Sequence, residues 1–339
     1  MTNAEHDRIQ LQERIVLKPT ELLPGQIVPV VFTDGDATLL DHNTYSFEPA
    51  TPAINLMKKH RIPLVLTTSK TSAEIMHLYA QIGILSPCIF ENGGGIVLPQ
   101  DYLSGDILTT ISYICLADAA LNGLDIRVEE RGNSTIIRLG ASIDEVRAAL
   151  RTACTETGVS VEGFGDWVDR PEVMMVHANF KDDQHGTAIK KAQRALTRET
   201  QEGFLITNHG THPDDHAAEA ALQAAIEAQG FTFSRGGRFL QIFRGSDKGR
   251  AVRLMAGLFH NEFGTKICTV GIGDAQNDLP LLSACIEMGG EAFIVHNPNA
   301  KGPVSLPRDS SVQILPSELP GPQGWNVAIQ GVLNKFQYN

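Results

Sequence analysis

The chain has 339 residues, of which 42% are hydrophobic and 20% are charged, and its formal net charge is −11. At roughly 150 residues per domain, this length predicts about two domains with a sizeable buried core. The acidic balance argues against nucleic acid or an anionic membrane as the main partner, because both require a basic face. Apolar segments fall far short of the ~20 residues that span a bilayer, so we expect no membrane partner.

Two further features of the composition indicate a cytoplasmic protein. The N-terminal residues open acidic and contain no apolar segment, so we expect no signal peptide. The five cysteines are scattered and form no C-x-x-C pair, which is typical of reduced cysteines rather than of a disulfide frame or a zinc site.

The N-terminal third of the chain alternates between predicted strands and helices. Residues 1–26 are polar, and we expect an extension that is partly disordered or lies on the surface. Short apolar runs predict buried parallel strands at residues 27–32, 62–67 and 88–90. Helical spacing predicts helices near residues 52–60 and 72–82. This alternation predicts an α/β fold, a Rossmann-like parallel sheet with helices on both faces.

The middle of the chain has a different pattern, which predicts an inserted α+β cap domain. Amphipathic helices are predicted near residues 143–153, 187–197 and 214–229, among alternating strands such as 135–139. A β-hairpin is predicted at residues 231–242, with its turn at Gly236 and Gly237.

The α/β pattern then resumes with a helix near 248–258 and a strand at 267–272. Prolines indicate loop in most of the last forty residues, before a short helix near 325–336. We therefore expect a core of residues 27–105 and 240–339, with a cap of residues 106–239 that sets substrate specificity.

Carboxylates follow two of the predicted core strands. Asp34 and Asp36 come after the first strand, and Asp274 and Asp278 come after the strand at 267–272. Ligands of an open parallel sheet bind beyond the carboxyl ends of its strands, so we expect these loops to converge. Four clustered carboxylates repel one another unless a cation lies among them, and all-oxygen ligands suit Mg²⁺. Either acidic pair alone could equally consist of loop and helix-cap residues.

A hydroxyl group and a cation complete the pattern. Thr68, Ser69 and their neighbours end the second strand and offer hydroxyls and helix-start N–H groups to phosphoryl oxygens. Lys248 opens the helix after the inserted region. Singly, Ser69 would be a helix cap and Lys248 a solvated lysine, but together with the acids they predict a phosphoryl-transfer site.

These four motifs resemble those of the haloacid dehalogenase superfamily of phosphohydrolases. Residues 34–38 resemble its D-x-D-x-T motif, Ser69 or Thr68 its Ser/Thr motif, Lys248 its third motif, and residues 273–278 its G-D-x-x-N-D motif. The insertion between the second and third motifs is similar to the large-cap class, which holds sugar phosphatases. Other segments resemble the mannosyl-3-phosphoglycerate phosphatase branch, namely residues 68–74, 91–94, 236–239, 245–249 and 321–326.

The resemblance implies Mg²⁺-dependent hydrolysis of a small-molecule sugar phosphate monoester. Asp34 would be the nucleophile and Asp36 the proton donor and acceptor, while Ser69 and Lys248 would stabilise charge on the phosphoryl oxygens. Asp34, the backbone carbonyl of Asp36 and Asp274 would hold Mg²⁺.

Asp278 would support the same site, in the surroundings of the metal or by fixing Lys248, and Asn277 would assist it. The substrate-contacting residues implied are Thr68, Lys70, Glu91, Asn92, Arg198, Glu202, Arg238 and Asn277. A glycerate carboxylate suits a bidentate arginine, and Arg238 and Arg235 are both candidates. Either could instead be a solvated hairpin charge, Arg235 slightly more readily than Arg238.

Several alternatives stay open at this point. Glu91 and Asn92 could instead belong to a turn built on three glycines. The cluster of His209, His212 and His216 has metal-like spacing, but its glycine and proline are more typical of a polar loop. The protein could act on sucrose phosphate or a broad set of sugar phosphates, could be a phosphomutase, or could be a non-catalytic sugar-phosphate-binding regulator. It could be a monomer or a homodimer.

Overall fold

The computed structural model describes residues 14–20, 22, 25–181, 187–235, 238–264, 266–300, 302, 304–306, 311–316 and 318–338. The strands are β1 Ile15–Val16, β2 Val28–Thr33, β3 Leu64–Thr67, β4 Ile84–Leu85, β5 Cys88–Phe90, β6 Gly95–Pro99, β7 Arg127–Arg131, β8 Ser134–Arg138, β9 Ser160–Gly163, β10 Gln201–Asn208, β11 Thr232–Arg235, β12 Leu240–Phe243, β13 Ile267–Gly273, β14 Glu291–Ile294 and β15 Gln313–Ile314. The α-helices are α1 Thr51–His60, α2 Ser72–Ile82, α3 Ile107–Ala117, α4 Ile143–Thr157, α5 Pro171–Ala178, α6 Thr187–Ala195, α7 Asp215–Ala228, α8 Lys248–Phe263, α9 Leu279–Glu287 and α10 Gly321–Lys335.

The larger sheet has the strand order β15-β14-β13-β2-β3-β5-β6-β8-β7. Strands β15 through β5 are parallel, and β6, β8 and β7 continue the sheet in antiparallel pairs. Every residue of β2 is buried, because apolar side chains cover both faces of the sheet. Met57, Tyr79 and Trp325 lie in the cluster on one face, and Met255 and Phe259 lie in the other. The predicted Rossmann-like core is confirmed.

The smaller sheet has the order β11-β12-β10-β9, and all its pairs are antiparallel. The predicted hairpin is confirmed in β11 and β12, where Arg235 pairs with Leu240, and its turn glycines lie outside the described residues. Helices α4, α6 and α7 agree with the predicted amphipathic segments. A capping box between Ser142 and Glu145 begins α4, which explains its sharp start.

The inserted unit has different boundaries from the expected 106–239. Strands β7 and β8 pair with each other and β8 pairs with β6, so the large sheet extends to Arg138. Strand β12 pairs with β10 and therefore belongs to the small sheet, which extends to Phe243. Periodicity predicts that a segment is a strand but does not identify its neighbours, which is why both boundaries were wrong. Residues 142–243 are called the cap below.

The chain enters and leaves the cap through two segments that touch. The N–H of Ala141 donates to the carbonyl oxygen of Arg244 at 2.9 Å. A Cβ on Gly140 would lie 2.6 Å from that same oxygen, and a Cβ on Gly245 would lie 2.9 Å from the carbonyl oxygen of Leu139. Gly245 also has a φ of +80°, which glycine adopts without steric cost. Both crossings therefore need glycine.

Two other expectations for the chain ends are corrected. Part of the N-terminal extension packs on the core: β1 pairs with β4, and Leu17 is only 1% exposed. The C-terminal helix begins at Gly321 rather than near residue 325, because Pro322 occupies the first turn, where proline costs no hydrogen bond. Within the described residues, we find no helix with the length and apolar character needed to cross a membrane.

Leu17→Ala tests the packing of the extension. The leucine side chain is buried and its carbonyl oxygen accepts a hydrogen bond from the Tyr102 hydroxyl. We expect the substitution to lower the free energy of unfolding by about 2–5 kcal/mol, as for other leucine truncations in cores. Ile15→Ala is the control, because Ile15 is 38% exposed. Equal effects in chemical denaturation would contradict this packing.

Candidate active site

The predicted functional side chains lie at the carboxyl edge of the parallel strands. Asp34 follows β2 and Asp274 follows β13, and these strands are neighbours with Thr33 paired to Ile272. The N–H of Asp34 continues the ladder by donating to the Ile272 carbonyl at 2.9 Å. Ser69 follows the next strand, β3. Asp34, Ser69 and Asp274 therefore lie at one edge of the sheet, as expected from their positions after parallel strands.

Three of the four predicted acids form a buried cluster. Asp34, Asp274 and Asp278 are 7%, 6% and 1% exposed, and one oxygen from each lies within 4.8 Å of the others. Burial, opposed by Lys248 and reinforced by the neighbouring carboxylates, raises the pKa of Asp34 to about 8. Burial and the charge of Asp278 raise the pKa of Asp274 to about 6. The cluster therefore disfavours its own negative charge.

Lys248 places a buried ammonium group in this cluster. Its Nζ donates to Asp34 Oδ1 and to Asp278 Oδ1, both at 2.7 Å, and the residue is 3% exposed. Burial acts against the charge of Lys248, but the two carboxylates hold its pKa above the ordinary value. The alternative of a solvated lysine is wrong. Lys248 is the first residue of α8, whose N-cap is Asp247, so helix initiation fixes its position.

The remaining contacts orient the acids. The Thr38 hydroxyl donates to Asp274 Oδ1 and the Asn297 amide donates to Asp274 Oδ2, both at 2.7 Å. Asp278 Oδ2 accepts the N–H groups of Asp274 and Ala275, both at 3.1 Å. Asp278 therefore braces the loop and holds Lys248, which agrees with its predicted supporting role.

The donor set fits a divalent cation. Three buried carboxylates face a single ammonium group, so negative charge is in excess. Burial first, and the neighbouring carboxylates second, raise the pKa values of Asp34 and Asp274. Oxygen-only ligands with this excess of charge suit Mg²⁺. Because Lys248 and two N–H groups already engage Asp278, the side chains of Asp34 and Asp274 are the better candidates for direct ligands.

Asp36 lies apart from the cluster. Its Oδ2 accepts from the ammonium group of Lys70 at 2.8 Å, and its side chain is 40% exposed. The other oxygen, Oδ1, is buried and has no hydrogen-bond partner among the described residues. The Asp36 carboxylate is therefore a candidate for proton transfer, and its carbonyl oxygen keeps the predicted metal-ligand role.

The Ser/Thr motif is divided between two residues of different exposure. Thr68 is 1% exposed and its Oγ1 lies 3.4 Å from where a Cβ on Gly35 would stand, so it packs against the Asp34 loop. Ser69 is half-buried. The cap of α2 is Thr71, in a capping box with Glu74, so the alternative that Ser69 caps this helix is wrong.

The structure contradicts the prediction that Glu91 contacts sugar. Glu91 is fully buried, and its carboxylate accepts the N–H groups of Glu199, Thr200 and Gln201 at 2.8–2.9 Å, together with the Thr200 hydroxyl. Burial raises the pKa of Glu91, opposed by Arg198 and these hydrogen bonds. The carboxylate thus joins the core to the cap. The alternative that Glu91 belongs to a turn built on three glycines accounts for its backbone, which has a φ of +48°, but not for the contacts of its side chain.

Glu202 is likewise occupied inside the cap. It is 2% exposed, and its carboxylate accepts from the Gly165 N–H at 2.6 Å and the Arg147 guanidinium at 2.9 Å. Burial raises the pKa of Glu202, and Arg147 opposes the shift. These contacts contradict the predicted sugar contact. Arg198 donates to the carbonyls of Ala195 and Ser69, so it lies beside the Ser/Thr motif.

The other predicted contact residues differ in their surroundings. The Asn92 amide donates to Gln201 Oε1 at 3.2 Å, so it also links core and cap. Arg238 donates to the Ala178 carbonyl within the cap. Asn277 is exposed at the edge of the acidic loop. The roles of these side chains toward substrate stay predictions.

The remaining charged candidates lie away from the acids. Arg235 pairs with Glu219, which agrees with a hairpin charge. His212 bonds the Thr157 carbonyl at 3.1 Å, while His209 and His216 are exposed. Across the described part of the chain, the aspartate cluster is the only group of three or more histidine, cysteine, aspartate or glutamate side chains close enough to share a metal ion.

Asn297, Thr38 and Glu199 contact the candidate site but were not predicted as site residues. Asn297 follows β14, a strand not recognised although residues 292–295 are apolar, and the same strand-end argument would have found it. Thr38 was noted only as part of its motif. Glu199 accepts from Ser72, Arg131 and Arg138 of the core, a contact for which the sequence offers no local signal.

A family model described as haloacid dehalogenase-like hydrolase matches residues 31–299. The chain belongs to this family. A glucosyl-3-phosphoglycerate/mannosyl-3-phosphoglycerate phosphatase of Methanococcoides burtonii is 34% identical over 306 residues, or 90% of this chain and 97% of the relative. A protein of the same name from Persephonella marina is 31% identical over 309 residues, or 91% of this chain and 98% of that relative. The resemblance stated from the motifs is therefore confirmed.

Solved structures share the fold. A haloacid dehalogenase-like hydrolase from Bacteroides thetaiotaomicron superposes with a TM-score of 0.52 at 15% identity, covering 90% of this chain and 99% of that one. A protein of Thermotoga maritima gives a TM-score of 0.53 at 14% identity, covering 90% and 97%. The core-and-cap architecture of this family member thus has counterparts across distant sequences.

The raised pKa of Asp34 makes stability depend on pH in the metal-free protein. Because the folded-state pKa of about 8 exceeds the ordinary value near 4, the native state binds this proton more tightly than the unfolded state. The stabilisation of the native state by this proton is complete below pH 4 and is lost as the pH rises to the folded-state pKa of about 8. We expect the Tm of wild type to fall more than that of Asp34→Asn between pH 5 and pH 8, measured in chelator.

Two controls complete this measurement. Asp215→Asn removes an exposed carboxylate at the start of α7 and should titrate as wild type does. Added Mg²⁺ should stabilise wild type most at pH 8, since a ligand that binds the native state raises its Tm. Parallel Tm curves for wild type and Asp34→Asn would contradict the charge balance described for the cluster.

Glu91→Gln tests the contact between core and cap. The NH₂ group of the glutamine would face the N–H groups of residues 199–201, and two donors cannot form a hydrogen bond with each other. We therefore expect a lower Tm and faster hydrogen exchange at these residues. Glu172→Gln, an exposed change in α5, should leave both unchanged. Unaltered exchange together with a raised substrate KM would instead support the sugar contact.

Proposed function

We propose that this protein is a Mg²⁺-dependent phosphatase that hydrolyses glucosyl-3-phosphoglycerate or mannosyl-3-phosphoglycerate to the glycosylglycerate and phosphate. The observation that carries the proposal is the buried Asp34 carboxylate, held on one oxygen by Lys248 beside two further aspartates. The names of the two relatives, which align over nearly their full lengths, support the substrate class.

Asp34 has the geometry of a nucleophile. Lys248 engages Oδ1 at 2.7 Å, while Oδ2 accepts no hydrogen bond from the described residues. Oδ2 would attack phosphorus as the bond from phosphorus to the leaving oxygen breaks, which forms an aspartyl-phosphate. This covalent step divides one difficult displacement into two easier ones.

Asp36 is positioned to move the protons. In its protonated form it would donate to the leaving alkoxide. It would then take a proton from the water whose oxygen attacks phosphorus and releases Asp34. Lys70 orients the Asp36 carboxyl through a 2.8 Å ion pair. Acid–base help of this kind typically contributes about 10²–10⁴-fold in rate.

The remaining polar groups would offset phosphate charge. Lys248 and the Ser69 hydroxyl would stabilise the oxygens that do not react. Asp34, Asp274 and the Asp36 carbonyl would hold Mg²⁺, which supplies the positive charge that lets an anionic phosphate approach a carboxylate. Thr38 and Asn297 would keep the Asp274 side chain oriented for this purpose.

Asp34→Asn is the decisive variant. An amide cannot form the acyl phosphate, so we expect phosphate release from glucosyl-3-phosphoglycerate with Mg²⁺ to fall below detection. Asp36→Asn keeps the nucleophile but loses the proton donor, and its kcat should fall by about 10²–10⁴-fold. Asp215→Asn serves as the exposed control. Undiminished turnover in Asp34→Asn would exclude this nucleophile.

The substrate class is tested separately with wild type. The kcat/KM for the two glycosyl-3-phosphoglycerates should exceed that for sucrose phosphate and simple hexose phosphates. Equal values would favour a broad-specificity phosphatase. Transfer of phosphate between sugar positions without net release would indicate a phosphomutase.

A further inference from the structure

A cluster of basic side chains surrounds Asp36 and the ring of Tyr45. Lys70 Nζ lies 2.8 Å from Asp36 Oδ2 and 5.4 Å from the Tyr45 ring centroid. Lys191 Nζ lies 3.6 Å from the same centroid. Burial and Asp36 raise the pKa of Tyr45, while the nearby charges of Lys70 and Arg238 oppose this shift. Three cations thus converge where the leaving group would stand.

The two lysines reach this ring from different parts of the fold. Lys70 follows β3 of the core, and Lys191 projects from α6 of the cap. Tyr45 belongs to a tight core loop in which Asp41 Oδ1 accepts the N–H groups of Asn43 and Thr44. The Tyr45 N–H donates to the Asp41 carbonyl at 2.9 Å, which ties the backbone that carries the ring to this loop. The cap lysine therefore meets an aromatic ring of the core.

The ammonium group of Lys191 is stabilised by aromatic faces. Besides Tyr45, the Phe180 ring centroid lies 4.6 Å from its Nζ. No carboxylate of the described residues lies within ion-pair distance of this group. A cation held by ring faces keeps its N–H donors available to an anion. Burial and the charge of Lys70 lower the pKa of Lys191, which is the cost of holding two ammonium groups at one ring.

The chemistry of the proposed substrate supplies a matching anion. Asp36 would protonate the oxygen that joins phosphorus to the terminal carbon of the glycerate. The glycerate carboxylate is separated from this oxygen by only three bonds, so it must lie close to Asp36. Lys70, Lys191 and Arg238 outnumber the two nearby carboxylates, Asp36 and Glu74, and so leave a net positive charge at this position.

We propose that Lys191 binds the substrate carboxylate together with Lys70, and that this cap lysine sets the preference for phosphoglycerate over neutral leaving groups. The proposal rests on the function proposed above and extends it to a residue outside the recognised motifs. Because Lys191 belongs to the cap and Tyr45 to the core, carboxylate binding would engage both units at once.

The test compares two substrates that differ only in this anion. Glucosyl-3-phosphoglycerate carries the carboxylate, and glucosylglycerol 3-phosphate carries a hydroxymethyl group in its place. Lys191→Met keeps the aliphatic stem and removes the charge. We expect its kcat/KM for the carboxylate substrate to fall roughly tenfold or more, chiefly through KM, as for loss of a charged hydrogen bond. Its kcat/KM for the neutral analogue should stay within about twofold of wild type.

Two variants are matched to this change. Lys190→Met removes the same charge from an exposed position of the same helix and should leave both substrates unaffected. Lys191→Arg keeps a cation and should restore most of the preference. An equal loss on both substrates in Lys191→Met would show that the residue only shapes the site, and unchanged kinetics would show that it has no role; either result overturns the proposal.

The same data separate this proposal from the proposed function. If wild type itself does not prefer the carboxylate substrate, the assignment of the phosphoglycerate substrate fails. If wild type prefers it and Lys191→Met retains that preference, only the role of Lys191 fails.

Discussion

The candidate active site is organised around an ammonium group buried between two carboxylates. Moving each such ion out of water costs several kcal/mol, and good geometry with further hydrogen bonds is needed to offset this cost. Lys248 achieves it with Asp34 and Asp278, each at 2.7 Å. Asp34 follows β2, Lys248 begins α8 and Asp278 follows β13. The ion pairs can therefore form only if these elements meet at one edge of the sheet.

This arrangement also ties the cap to the chemistry through the chain itself. Lys248 stands where the polypeptide returns from the cap, directly after the crossing at Gly245. Gly93, in the turn after β5, packs against the backbone just before Lys248. A Cβ on Gly93 would be 2.2 Å from the Asp247 carbonyl oxygen. Glu91 in that turn holds residues 199–201 of the cap. Glu91, predicted from the sequence to contact sugar, thus connects core and cap, because a buried carboxylate must find donors and the backbone supplies them.

The sequence predicted the core and its acids well because both depend on local pattern. Apolar runs that end in polar residues identify strands, and parallel topology then brings Asp34, Ser69 and Asp274 to one edge. The boundaries of the cap were wrong because β7, β8 and β12 look alike in either sheet, and partner choice is a long-range property. Asn297 was missed because β14 was not recognised as a strand, whereas Lys191 and Tyr45 are far apart in the chain and no local pattern indicates their contact.

The paired glycines at 140 and 245 have a consequence for how such enzymes diversify. With no side chain at either position, the two crossing segments approach within backbone hydrogen-bond distance. A methyl group at either one would lie less than 3 Å from a facing carbonyl oxygen and would force the two segments apart. A substitution at either crossing would therefore alter the spacing of core and cap without changing any side chain of the candidate site.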